Sequence, residues 1–212
     1  MKSIHETWAA PAAVLVLATG CAGGIRLTSQ WSDPAFRASS LHAVLVLGVS
    51  DRPDRARALE HAMVAALTGR GLAAHPADSL RGDSKADCGE LRARALRSGC
   101  DGLMVTRLLG PRAVRAQYPT VASYVAVPAG YDSGWCAYVR AGREHADAAP
   151  ESLEGQSVRL EANLYQLPED HLAWTALAEP FELRSASLPA ELAETARKLA
   201  VVLVPVRPRR RR

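Results

Sequence analysis

Apolar residues along this chain fall into unbroken runs in the first half and alternating ones in the second. Leu41 to Val49 is almost wholly apolar, with Val44, Leu45, Val46, Leu47 and Val49 in close succession, which predicts a strand covered on both faces. Leu59, Ala62, Met63, Ala66 and Leu67 then recur at i, i+3, i+4, i+7 and i+8, one face of a helix. Asp51 or Asp54 can cap it, and Gly69 and Gly71 can stop it. Leu72 to His75 reads as a short second strand closed by Pro76. A helix from about Lys85 to Ser98 follows, with Cys88, Leu91 and Ala95 inward and Arg92, Arg94 and Arg97 toward water. Leu103 to Leu109 is a third apolar strand. The order strand, helix, strand, helix, strand favours a sheet with at least one parallel pair.

The second half changes period. Val121 to Val127 and Trp135 to Val139 read as strands around a loop at Pro128-Ala129-Gly130, and Arg143 to Glu154 as a polar excursion. Val158, Leu160, Ala162 and Leu164 alternate with Arg159, Glu161, Asn163 and Tyr165, the mark of a strand wet on one side. Pro168-Glu169-Asp170 turns the chain, and Leu172, Trp174 and Ala176 alternate on the way back, which predicts a hairpin. Ser187 is positioned to cap a last helix with Pro189 in its first turn, its inward face formed by Leu192, Ala196, Leu199 and Leu203. The expected fold class is α+β: a single mixed β-sheet, β-α-β-α-β then antiparallel hairpins, with three helices packed on it and a C-terminal helix.

The N-terminus has a pattern of its own. Lys2 precedes an apolar stretch from Trp8 to Ala18, and residues 14 to 21 read Val-Leu-Val-Leu-Ala-Thr-Gly-Cys. A cationic start, an apolar core of about 7–15 residues and small residues before a cut describe a secretory signal; the core falls short of the about 20 apolar residues a bilayer requires. The octet resembles the lipobox of bacterial lipoproteins, and that resemblance implies lipidation of Cys21. Ala22 in place of Asp implies passage to the outer membrane in a diderm cell, the anchor facing the periplasm. Residues 1–20 are thus expected to be a signal peptide, 21–40 a lipid-anchored linker, 41–204 the globular domain and 205–212 a basic disordered tail.

Composition adjusts this only at the edges. With 48% hydrophobic residues the chain can build a core. The net charge of +4 belongs to five arginines of the tail Arg207-Pro208-Arg209-Arg210-Arg211-Arg212, leaving 21 basic against 22 acidic residues. A basic run can touch anionic lipid or polyphosphate; for an exported chain no nucleic-acid partner is expected. Beyond Cys21 the cysteines are Cys88, Cys100 and Cys136, an odd number. Cys88 and Cys100 are separated by a predicted helix of about 12 residues, about 18 Å at 1.5 Å per residue, too far for a bridge whose Cα atoms lie within about 7 Å. Buried free thiols are the expected state; if a bridge forms, Cys136 is the partner of one of the others.

Chemistry is sparse. No Gly-x-Ser-x-Gly elbow, Walker loop, His-Glu-x-x-His or dinucleotide fingerprint occurs. The six histidines are scattered, and His145 beside Glu144 and Asp147 reads as a solvated loop. No metal or cofactor is expected, and Asp101-Gly102 reads as a turn. Tyr118, Tyr124, Tyr131, Trp135 and Tyr138 gather in one stretch, a candidate interaction surface on a predicted strand pair; packing on the core is the alternative. Trp31 and Trp174 read as structural.

Several segments together resemble an uncharacterised family of bacterial lipoproteins. They are the Cys21 start, Ser29-Gln30-Trp31-Ser32-Asp33-Pro34, the strand Val44 to Val49 with Arg55 to Gly71, Ser98 to Leu108, and Glu161-Ala162-Asn163-Leu164-Tyr165 with Trp174 across the turn. The chain departs from that family in a sparser middle hairpin and in its Arg-rich tail. The resemblance implies an α/β domain like those of the TolB N-terminal domain and the curli-secretion lipoprotein. The expected function is that of a lipid-anchored, non-enzymatic cell-envelope protein. It would meet the membrane through Cys21 and envelope proteins or cell wall through its domain. A periplasmic small-ligand-binding domain is the alternative, and an envelope hydrolase a more distant one.

Overall fold

The computed structural model describes residues 27–77, 88–117, 134–148 and 153–205. In chain order they form β1 (Leu27–Ser32), a 3-10 turn at Ala38–Ser40, β2 (Ala43–Val49), α1 (Pro53–Thr68), β3 (Ala73–Pro76) and α2 (Cys88–Arg97). There follow β4 (Gly102–Leu109), α3 (Pro111–Gln117), α4 (Gly134–Ala148), β5 (Ser157–Gln166), β6 (His171–Ala178), β7 (Phe181–Glu182) and α5 (Leu188–Leu203). The strands lie in the order β1-β6-β5-β4-β2-β3, with β7 paired to β5. The class is α+β, with a mixed sheet and a C-terminal helix.

The unbroken apolar runs become the parallel part of the sheet. β2 pairs in parallel with β3 on one side and β4 on the other, and every residue of β2 is buried. It is covered on both faces because the two crossover helices pack on opposite faces: α1 joins the core on one, α2 the core on the other. α1 buries Leu59, Met63, Ala66 and Leu67 as its periodicity predicts. Its N-cap is Arg52, which makes no side-chain cap bond, so neither expected aspartate caps it; Pro53 supplies a first-turn φ suited to the helix. The helix lies very close to β2. A Cβ on Gly48 would stand 2.2 Å from the carbonyl oxygen of Ala56, so glycine is what this approach requires.

β4, β5, β6 and β1 are successively antiparallel. The β5–β6 hairpin forms as the alternation predicts, with a cis bond at Leu167-Pro168 and Asp170 in the left-handed region at φ 59°. On one face, the even positions Leu160, Ala162, Leu164, Trp174 and Ala176 meet α1 and α5, which contributes Leu192, Ala196, Leu199 and Leu203. β5 is not wet on its other face: Glu161, Asn163 and Tyr165 are fully buried. Two further differences bear on the site. Leu27–Ser32, inside the segment expected to be linker, pairs with β6 as the edge of the sheet. Trp135 to Val139, expected to be a strand, belongs to α4, which with α3 joins the three expected helices. Among the described residues no helix is long and apolar enough to cross a membrane.

Candidate functional site

Polar groups with buried side chains collect beneath α4, on the sheet face opposite α1 and α5. Trp135, Tyr138 and Val139 occupy one side of α4 and pack with Leu47, Val105 and Tyr165 of the sheet and Leu91 and Ala95 of α2. For Trp135 and Tyr138 this is the core packing that stood as the alternative to an interaction surface. Trp135 and Tyr138 are buried on a helix face turned to the sheet, not displayed on a hairpin. The physical reason is that both side chains bring a large apolar body and a single polar atom, and Asp170 of the hairpin turn and Glu161 of the sheet give those atoms partners. Tyr118, Tyr124 and Tyr131 lie outside the described residues, as does Cys21.

Arg107 and Glu161 stand directly opposite each other on β4 and β5. The Arg107 Nε donates to Glu161 Oε2 at 2.7 Å, and the Tyr138 hydroxyl donates to the same oxygen. The guanidinium carbon also lies 4.3 Å from the centre of the Tyr138 ring, a cation–π contact. Next along the face, Thr175 donates its hydroxyl proton to Asn163 Oδ1 at 2.5 Å. Beyond Asn163 comes Tyr165, whose buried hydroxyl has no hydrogen-bond partner among the described residues. Burial, reinforced by the charge of Glu161 and opposed by Arg107, pushes its pKa far above the ordinary phenol value, so Tyr165 stays neutral. Both bonds meet on Glu161 Oε2, and through Tyr138 this carboxylate braces α4 to the sheet. The sequence carried a signal for this pair: a lone Arg in an apolar strand and a lone Glu in an alternating one, each costly to bury without the other.

The first turn of α4 is also tied down covalently. Cys136 forms a disulfide with Cys88 of α2, with Cα atoms 5.8 Å apart. The expectation of free thiols is therefore corrected for these two; the excluded Cys88–Cys100 bridge is absent, and Cys100 is free and buried. The sequence could not show this pairing because it depends on two helices meeting over the sheet. Burial, with the charge of Asp101 adding to it, raises the Cys100 pKa, which leaves it a protonated, unreactive thiol. At the start of α4, Trp135 Nε1 donates to Asp170 Oδ1 at 3.0 Å, and Arg92 of α2 pairs with Asp170 Oδ2. Asp170 thus joins the hairpin turn to both helices.

Two His–Asp pairs sit at the surface of the same end of the sheet. Asp101 accepts from the backbone N–H groups of His42 at 3.0 Å and Ala43 at 3.2 Å and contacts His42 Nδ1 at 2.7 Å. Burial works to raise the Asp101 pKa, but the bonds from His42 and Ala43 outweigh it and the carboxyl ends below its usual value. His171 Nε2 pairs with Asp33, whose pKa is lowered mainly by that hydrogen bond. Asp101 therefore clamps the start of β2, and Gly102, expected to share a turn with it, is the first residue of β4. No cluster of three His, Cys, Asp or Glu side chains suited to a metal occurs among the described residues.

No protein-family model matches the chain, and no curated protein matches it. Solved structures of the PelC dodecamer from Paraburkholderia phytofirmans are similar to it. One is 14% identical, over 84% of this chain and 97% of that chain, with a TM-score of 0.47. Another is 12% identical, over 84% and 98%, with a TM-score of 0.46.

Proposed function

We propose that this chain is a lipid-anchored cell-envelope protein whose sheet domain acts by contact with other envelope components. The observation that carries the reading is the Cys88–Cys136 disulfide, since stable structural bridges belong to oxidising compartments such as the periplasm. It agrees with the address written in Val14 to Cys21. Acyl chains on Cys21 would hold the protein, because each buried methylene contributes about 0.8 kcal/mol and two or more chains make the anchor lasting. The inward polar groups support an adaptor over a catalyst: Glu161, Asp170 and Arg107 are engaged in fixing helices to the sheet. The likeness to the uncharacterised lipoprotein family, carried by Ser29 to Pro34 and the other segments above, points the same way.

The test is fractionation of cells producing the wild type or Cys21→Ala. The wild type stays with the membrane through a high-salt wash, and the variant leaves it. Equal retention of the two would falsify the anchor.

A further inference from the structure

The two helix layers of the sheet differ in charge. α1 and α5 carry four basic and four acidic side chains. On the opposite face, the described side chains of α2, α3 and α4 include five arginines, Arg92, Arg94, Arg97, Arg112 and Arg140, against one carboxylate, Glu90. α3 belongs to this layer because its Ala113 and Val114 pack on Leu109 and Leu177, which share that face of the sheet. Two of the arginines are engaged locally, Arg92 with Asp170 and Arg94 with Glu90. Arg97 and Arg112 are exposed and make no ion pair among the described residues. Arg140 is exposed too, with its guanidinium 3.8 Å from the Cys136 sulfur and no carboxylate partner among the described residues. Beside Arg97 stands Leu96, 42% exposed, the one exposed large hydrophobic side chain among the described residues.

We propose that the outer face of the α2–α3–α4 layer docks on an anionic lipid surface. Guanidinium groups match phosphate oxygens in a two-pronged geometry, and a leucine among them suits the boundary between headgroups and acyl chains. A soluble polyanion would use the arginines but have no use for Leu96, which is why lipid is favoured. The inference rests on the lipid-anchored reading, which keeps the domain within reach of a membrane. An acyl anchor and a basic patch then act as two signals.

The experiment uses the full chain carrying Cys21→Ala, so that no lipid is attached, and vesicles of phosphatidylcholine with or without phosphatidylglycerol. Two double variants change net charge equally: Arg97→Glu with Arg140→Glu on the proposed face, and Arg57→Glu with Arg197→Glu on the opposite layer. Circular dichroism checks that each is folded. Stronger partitioning to the anionic vesicles is expected. It falls about tenfold or more in the first variant, as expected for several charges near a surface, and about threefold or less in the second. An equal loss in both, or no preference for anionic vesicles, overturns the proposal. So does Arg97-dependent binding to polygalacturonate without binding to vesicles. Because no anchor is present in this assay, its failure leaves the fractionation result standing, and the reverse is also true.

Discussion

The face of the sheet under α1 and α5 and the face under α2 and α4 solve the same packing problem by different means. The first is mainly apolar, with Leu164, Trp174, Met63 and Leu199 meeting there, and its one carboxylate bonded to the sheet is Glu60 of α1, which accepts from the Gly48 N–H at 2.9 Å among the described residues. The second holds apolar contacts around Trp135 and Leu91 but also an ion pair, a carboxylate shared by two elements and a disulfide. Helices of the first face are long, 16 residues each, and carry continuous apolar stripes. α2 has 10 residues and buries only Leu91 and Ala95, too little apolar area to hold a helix without help. The disulfide and the cross-strand ion pair therefore lie on the face where the α2 stripe is short.

The largest effect is expected from removing one partner of the buried pair Arg107–Glu161. Glu161→Ala removes the carboxylate opposite the buried Arg107 charge, and the expected loss is about 3–5 kcal/mol of unfolding free energy, read by denaturant titration. Replacing both, Arg107→Met with Glu161→Leu, is expected to recover most of it. If the double variant is as unstable as the single one, the pair contributes more than mutual compensation.

Next in size is the bridge. Cys88→Ser with Cys136→Ser is expected to cost about 2–4 kcal/mol. Its effect should be uneven: amide exchange in α4 quickens more than in α5, because the bridge fastens one layer only. Uniform acceleration across both layers would contradict the contrast drawn above.

The smallest effect concerns pH. Asp33 and Asp101 have folded-state pKa values below their unfolded ones. Each therefore contributes stability that is fully present above the unfolded carboxyl value of about 3.9 and is lost as pH falls through the lowered folded value. Thermal melts should show a shallower acid decline for Asp101→Asn than for wild type. The variant should also lie below wild type at neutral pH, since the start of β2 loses part of its clamp. An acid decline as steep in the variant would remove Asp101 from the account.

Legibility followed the same division. The parallel strands, α1, α5 and the β5–β6 hairpin could all be read, since each depends on one periodicity over a continuous segment. Val44 to Val49 is buried on both faces as its unbroken run implied, and Leu192 to Leu203 lines the core at its predicted spacing. The site was legible only in fragments. Glu161 and Asn163 look like the solvent side of a strand until a helix is laid over them, and no local pattern says that one will be. Trp135 to Val139 contains Trp, Tyr and Val, residues enriched in strands, so their local preference pointed away from the helix that forms.

The class, the central strands and the long helices were thus readable along the chain. These rest on composition and period, which are properties of neighbours in the chain. Tertiary structure alone decided that α4 is a helix, that Cys136 meets Cys88 and that Arg107 meets Glu161 under Tyr138. Those outcomes depend on which distant segments share a face of the sheet, and the free energy that selects them comes from burial and pairing between elements rather than within them.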